Sequence, residues 1–417
     1  MQFFITASNY IIRTIQEYMK RMSIQQYGNR LTLSLLLAGA MGSASAQTLQ
    51  PGSEQVLLKA KQGSIVELPG FFSGKFQEIA YKKMVLPGPQ YIISDDPEYI
   101  RVPEAVALRE AVQPGAVRVY MYNVNGVKEP KMDRRINTVI KNTGDQKMTL
   151  RMLKYSSQKP TTNYFGAGKN GLADYFNAKP EARTRSIKPG QTVVLDEAME
   201  KRIAKYDELA HGFYEFVIDQ PGVISVVQTS PEKGTVKASE QIDTVLSSRH
   251  SNAGRGIFGV SNYQVNTTDV FDTKNGPAVI TIADGSQDPW VQGKDAATGK
   301  IATLAGNYGV IYHIEMKWKS TDGKGLALVT WNARSADNKW CGGMANTMVV
   351  SEGKFKAGVI KLPEDRLTTK AAPEAVLVQI FPPAKDGEEQ IIRMTYSPPG
   401  ASCLPTPLVF IPVDMNK

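Results

Sequence analysis

The sequence predicts a mainly β protein: two β-sandwich-like domains with a short helical insertion, after a cleaved signal peptide. Three observations predict this class. Short runs rich in β-branched and aromatic residues recur along the chain, glycine- and proline-bearing turns separate them, and helical periodicity is scarce. Many short strands between such turns favour sandwiches over a parallel sheet with crossover helices.

In chain order, the signal comes first. Leu31–Met41 is an uncharged apolar run of 11 residues, preceded by Lys20, Arg21 and Arg30 and followed by Ala44-Ser45-Ala46. That is the n-region, h-region and A-x-A order of a secretory signal. The run is shorter than the roughly 20 apolar residues that a membrane anchor needs. Residues 1–18 fit no part of a signal, whereas a start at Met19 leaves one of 28 residues up to Ala46. The expectation is a periplasmic, secreted or cell-surface protein with no membrane span in the mature chain.

Residues 47–235 are expected to form the first sandwich. Met148–Leu153 and Phe213–Ile218 are β-type runs, and Asn142-Thr-Gly-Asp145, Lys188-Pro-Gly190 and Pro221-Gly222 supply turns. Asn170–Asn177 predicts a short helix and Glu197–Leu209 a longer one. The polar stretch 230–255 marks the boundary, and residues 250–417 form the second sandwich. There, Val310, Tyr312, Ile314, Met316 and Trp318 share one strand face, while His313, Glu315, Lys317 and Lys319 share the other. The loop 320–325 then predicts a hairpin into 326–331. Ile391–Tyr396 is a further strand.

The net charge is +9, and the part after residue 46 keeps 45 basic against 39 acidic residues, a net +6 spread along the chain. With no run of Lys or Arg, no nucleic-acid partner is expected. Outside a cell, mild basicity suits anionic wall polymers or lipopolysaccharide, and it serves solubility equally. Cys341 and Cys403 are the two cysteines. In an oxidising compartment they read first as a disulfide, closing about 60 residues and contributing roughly 3–4.5 kcal/mol. Two free thiols or a metal pair are the alternative. His211, His250 and His313 offer little for metal chemistry, and no cofactor or metal is expected.

Gly254-Arg-Gly256-Ile-Phe-Gly259 has the G-x-G-x-x-G spacing, but a polar segment precedes it and a strand-like one follows, so it reads as glycine turns entering a strand. Asp284-Gly-Ser-Gln-Asp288 alternates oxygen ligands like a calcium loop, yet Pro289 stands where that loop needs glycine. No G-x-S-x-G elbow places a nucleophile. Asp95, Asp96 and Glu98 cluster, whereas glycosidase carboxylates face each other across a sugar. Trp340, in Asp337-Asn338-Lys-Trp-Cys341, and Trp290, after Asp288-Pro289, occupy polar turns. Aromatic faces flanked by Asn or Asp suit sugar stacking, so Trp290, Trp340, Asp337 and Asn338 are the candidate binding residues; the alternative is that the rings plug the sandwich ends.

Ser94–Ile100, Ile136–Gly144, Ile187-Lys-Pro-Gly-Gln191, Gly306–Tyr312 and Met394–Pro405 together resemble bacterial secreted proteins, mostly from Gram-positive lineages, labelled as copper amine oxidase N-terminal (stalk) domain-containing. The likeness covers most of 90–412 and consists of turn-and-strand patterns; the labelled stalk module itself is not seen in this sequence. It implies no oxidase activity. Those oxidases make their quinone from Tyr in Asn-Tyr-Asp/Glu and hold copper with three His, two as His-x-His. Asn262-Tyr263-Gln264 and Asn307-Tyr308-Gly309 lack the acid, and no His-x-His occurs.

The expected function is that of a non-enzymatic cell-envelope or surface protein that binds a wall polymer, a glycan or a surface-protein partner. The alternative is a secreted carbohydrate-active hydrolase using carboxylates in a sandwich cleft.

Overall fold

The computed structural model describes residues 47–248, 254–334 and 342–416. The signal segment with Met19, and the positions His250, Asp337, Asn338, Trp340 and Cys341, lie outside the described residues. The chain is mainly β, in sheets of six, nine, four and seven strands. Among the described residues no helix is long and apolar enough to cross a membrane.

The nine- and four-stranded sheets enclose one core. Val117, Val119 and Met121 of strand Gly115–Asn125 pack there with Leu108, Ile140, Ile224 and Val226 of the opposing sheet. The six- and seven-stranded sheets enclose a second core, where Ile314, Met316 and Trp318 join Leu326, Leu328, Leu408 and Phe410. Strand Gly115–Asn125 is buried on both faces, because Tyr120, Tyr122 and Val124 belong to the second core. Period-two burial is clear on strand Met148–Ser157, where Met148, Leu150 and Met152 are buried and Thr149 and Arg151 exposed.

The two sandwiches are interleaved along the chain, and Gln47–Lys417 forms one compact unit. Strand Tyr81–Leu86 pairs with Asn262–Thr267 in the seven-stranded sheet, while Gln90–Ser94 pairs with Arg255–Phe258 in the nine-stranded one. Strands from both sides of the expected 235–250 boundary therefore share sheets. The polar stretch there includes the helix Thr235–Gln241, whose Ala238 packs on Val106, Val139 and Val227 of the four-stranded sheet. Its composition is polar because the helix covers a sheet surface, and a surface helix resembles a linker in composition.

Three local expectations change. Strand Ile311–Lys319 has the predicted faces, but Gly325–Trp331 joins the six-stranded sheet, so 320–325 crosses the end of the sandwich and makes no hairpin. Asp272 and Asp322 pin this crossing: Thr321 donates to Asp272 (Oγ1 to Oδ2, 2.9 Å) and Thr273 donates to Asp322 (2.5 Å). The helix expected over Glu197–Leu209 stops at Glu200, capped by Asp196, which accepts from Met199 N (2.8 Å). Strand pairing then takes over, with Ala204 bridging to Arg134 and Leu209 opposite Val124. Nonlocal pairing here outweighs helix propensity.

The opposite correction applies to Tyr164–Asn177, a helix of 14 residues started by Asn163, whose side chain accepts from Gly166 N. Glycines that disfavour helix in isolation are needed here for close approach. A Cβ on Gly168 would meet Gly400 O at 2.7 Å, and one on Gly171 the His211 ring at 2.3 Å.

Candidate functional site

Trp290 precedes strand Val291–Asp295, on a turn built by the aspartates of the calcium-like motif. Asp284 accepts from the backbone N–H groups of Ser286 (3.1 Å), Gln287 (3.2 Å) and Asp288 (2.8 Å). Burial works to raise the Asp284 carboxyl, and the Ser286 hydroxyl together with these backbone donors outweighs it, holding the group below the usual range. Asp288 is buried, accepts from Ala283 N (2.7 Å) and is ion-paired with Lys83. Both carboxylates are thus engaged in organising the turn, and among the described residues no cluster of His, Cys, Asp or Glu forms a metal centre.

Gly285, at φ +77°, lets the Trp290 ring lie against the turn; a Cβ there would meet the ring at 2.7 Å. The indole N–H points at Ala283 O (3.5 Å) and the residue is 38% exposed. Trp290 is consequently a positioned ring with an open portion, and it is not inserted into either core. Lys83 is the inward charge of an edge strand, lying over the Tyr263 ring at 4.2 Å. Beside it, Tyr81 donates to Thr281 O (3.2 Å) and Thr281 donates to Glu78 (3.4 Å). Burial, partly offset by Thr281 and reinforced by Asp284, raises the Glu78 carboxyl. Lys83 thus meets the turn at Asp288 and at Pro289 O (3.4 Å), and Thr281, which donates to Glu78, lies on the strand Ala278–Ile282 that leads into the turn.

The candidates Asp337, Asn338 and Trp340 lie outside the described residues, as does Cys341. Cys403 is buried, and its N–H donates to Gly343 O (3.2 Å), two positions along the sequence from Cys341.

The two described histidines sit in different settings. His211 is buried; Nδ1 lies 3.0 Å from Met121 O, and Nε2, without a hydrogen-bond partner, packs against Gly171. Burial lowers its pKa to about 4 against the Met121 bond, so the ring is neutral. His313 faces a groove of about 560 Å3 beside Gln264, Thr395 and Arg393, and burial, with the Arg118 charge nearby, lowers its pKa.

Asp95, Asp96 and Glu98 sit together on one turn after strand Gln90–Ser94. Burial, with Glu98 and Asp96 nearby, pushes the Asp95 carboxyl well above its ordinary value. The tyrosines that feel this charge, Tyr91, Tyr120, Tyr122 and Tyr308, are spread through the sequence, so no local motif announces the cluster.

No protein-family model matches the chain, and no curated protein sequence matches it. Among solved structures it is similar to the CUB1-EGF-CUB2 region of human MASP-1/3, at 9% identity and TM-score 0.17, covering 73% of this chain and 100% of that one. Lactobacillus farciminis oxalate decarboxylase follows at 9% identity and TM-score 0.15, covering 79% and 87%. The M60 catalytic domain with CBM51 domains of Clostridium perfringens ZmpB stands at 8% and 0.15, covering 74% and 36%. Overlaps this loose carry no argument about fold or function. Fold and site together define a mainly β protein of sandwich-like sheets with a surface tryptophan on a hydrogen-bonded turn.

Proposed function

We propose that this chain is an exported, non-enzymatic cell-envelope or surface protein that binds a glycan through the Trp290 turn. One observation carries the reading: a 38% exposed indole lying against Gly285 and Ala283, on a turn that the Asp288–Lys83 ion pair ties down. A pre-positioned ring loses little freedom on stacking against a sugar face, and polar neighbours pair with hydroxyls. The signal-like segment 19–46 supports export. In that compartment Cys341 and Cys403 form a disulfide, a reading supported by the Cys403–Gly343 contact.

Retention on purified peptidoglycan and surface polysaccharides tests the proposal. Wild-type protein should be retained by at least one polymer, and Trp290→Ala should weaken retention about tenfold, near 1.4 kcal/mol. Retention on none of them, or retention indifferent to Trp290→Ala, would count against it. The raised Asp95 carboxyl supports the hydrolase alternative, since a general acid must hold its proton. Polymer cleavage abolished by Asp95→Asn would favour that reading instead.

A further inference from the structure

A second concavity, sharing no residue with the Trp290 turn, lies between strand Met148–Ser157, strand Thr184–Ile187 and the short helix Glu197–Glu200. It encloses about 640 Å3. Met152 and the Tyr155 ring form apolar lining, while Arg183, Arg185, Lys201 and Arg202 bring four cations against two carboxylates, Glu181 and Glu197.

Two of these guanidiniums are held by the fold. Arg185 donates from Nη1 to Val194 O and from Nη2 to Leu195 O, each at 3.0 Å. Arg202 Nη1 donates to Ser157 O (3.0 Å) and Ser157 Oγ (2.7 Å). Tyr155 is held as well, donating to the buried Asp196 (2.7 Å). Burial lowers the proton affinity of Arg185, opposed by the nearby Glu181, Glu197 and Asp196. A planar guanidinium matches carboxylate and phosphate oxygens in a bidentate fork, and one already fixed in place loses less side-chain freedom on pairing.

We propose that this hollow binds an oxyanion group, a carboxylate or phosphate, carried by a saccharide whose apolar face rests on Tyr155. The site is independent of the glycan reading above.

Calorimetric titration of the whole chain with inorganic phosphate and with trigalacturonic acid tests it. Saturable one-to-one binding is expected for at least one probe, weakening as salt rises. Binding of only one probe identifies the oxyanion. Arg183→Gln combined with Lys201→Gln, both at exposed positions, should weaken binding at least tenfold with an unchanged melting temperature. Trp290→Ala should leave it intact, so failure of this site and failure of the Trp290 reading are separately visible. No saturable binding, or binding unchanged in the double variant, would overturn the proposal.

Discussion

The two faces of the nine-stranded sheet bury charge in opposite ways. On the face toward helix Tyr164–Asn177, Arg118 donates to Glu215 Oε2 from Nε (3.0 Å) and Nη2 (2.8 Å) and to Ser261 O from Nη1 (2.7 Å). Tyr175 also donates to Glu215 (2.7 Å), closing a knot between sheet, helix and the start of strand Asn262–Thr267. On the face toward the four-stranded sheet, Arg255 Nη1 donates to Ala107 O (3.0 Å) and Leu246 O (2.5 Å) and Nη2 reaches Asp295 at 3.4 Å, but Glu110 Oε1 and Arg255 Nε are buried without hydrogen-bond partners. The first arrangement joins three elements with its charges matched. The second leaves a carboxyl that burial, against Lys294 and with Asp295, raises to about 7. A buried charge specifies an interface when every polar atom is answered; where one is not, it makes stability depend on pH.

The largest effect is expected from breaking the matched knot. Arg118→Met leaves Glu215 partly buried and unpaired, and denaturant unfolding should report a loss of about 3–5 kcal/mol. A loss under 1 kcal/mol would show that the knot is no anchor.

His211, on the same face, comes next. Its pKa is about 4 in the fold against 6.5 for the free ring. A lowered histidine contributes stability that is complete above pH 6.5 and lost as pH falls toward 4, about 3 kcal/mol across that window. His211→Asn should flatten this part of the stability profile whatever constant offset it adds. An unchanged slope would mean that His211 does not titrate differently on unfolding.

Glu110 acts with the opposite sign and the smallest size. Its carboxyl is raised from 4.5 to about 7, so its contribution is complete below pH 4.5 and is lost as pH rises through 7. Glu110→Gln should stabilise the protein above pH 7 by about 1–3 kcal/mol and remove that slope. A destabilised variant at pH 8 would show that the ionised carboxylate has a partner that stabilises it.

Part of this fold was legible locally. The alternation of Tyr312, Ile314, Met316 and Trp318 against His313 and Glu315 places strand Ile311–Lys319 without any knowledge of its neighbours. Helix Tyr164–Asn177 was half legible, because Gly166, Gly168 and Gly171 argue against helix until Gly400 and His211 show why side chains are excluded there. Of the candidate site, Trp290 was legible as an aromatic residue in a polar turn. Lys83, which ties the turn down through Asp288 and Pro289 O, comes from a strand distant in sequence and left no local signal.

The sequence by itself determined the mainly β class, the strand faces and the turn that presents Trp290, since alternation and turn chemistry are properties of neighbouring residues. Only the tertiary structure decided that the two sandwiches interleave, that 197–209 becomes a short turn of helix, an irregular stretch bridged at Ala204 and the first residue of a strand, and that Arg118 is answered while Glu110 Oε1 is not. Those outcomes depend on which strands share a sheet, a competition among contacts between residues far apart in the chain.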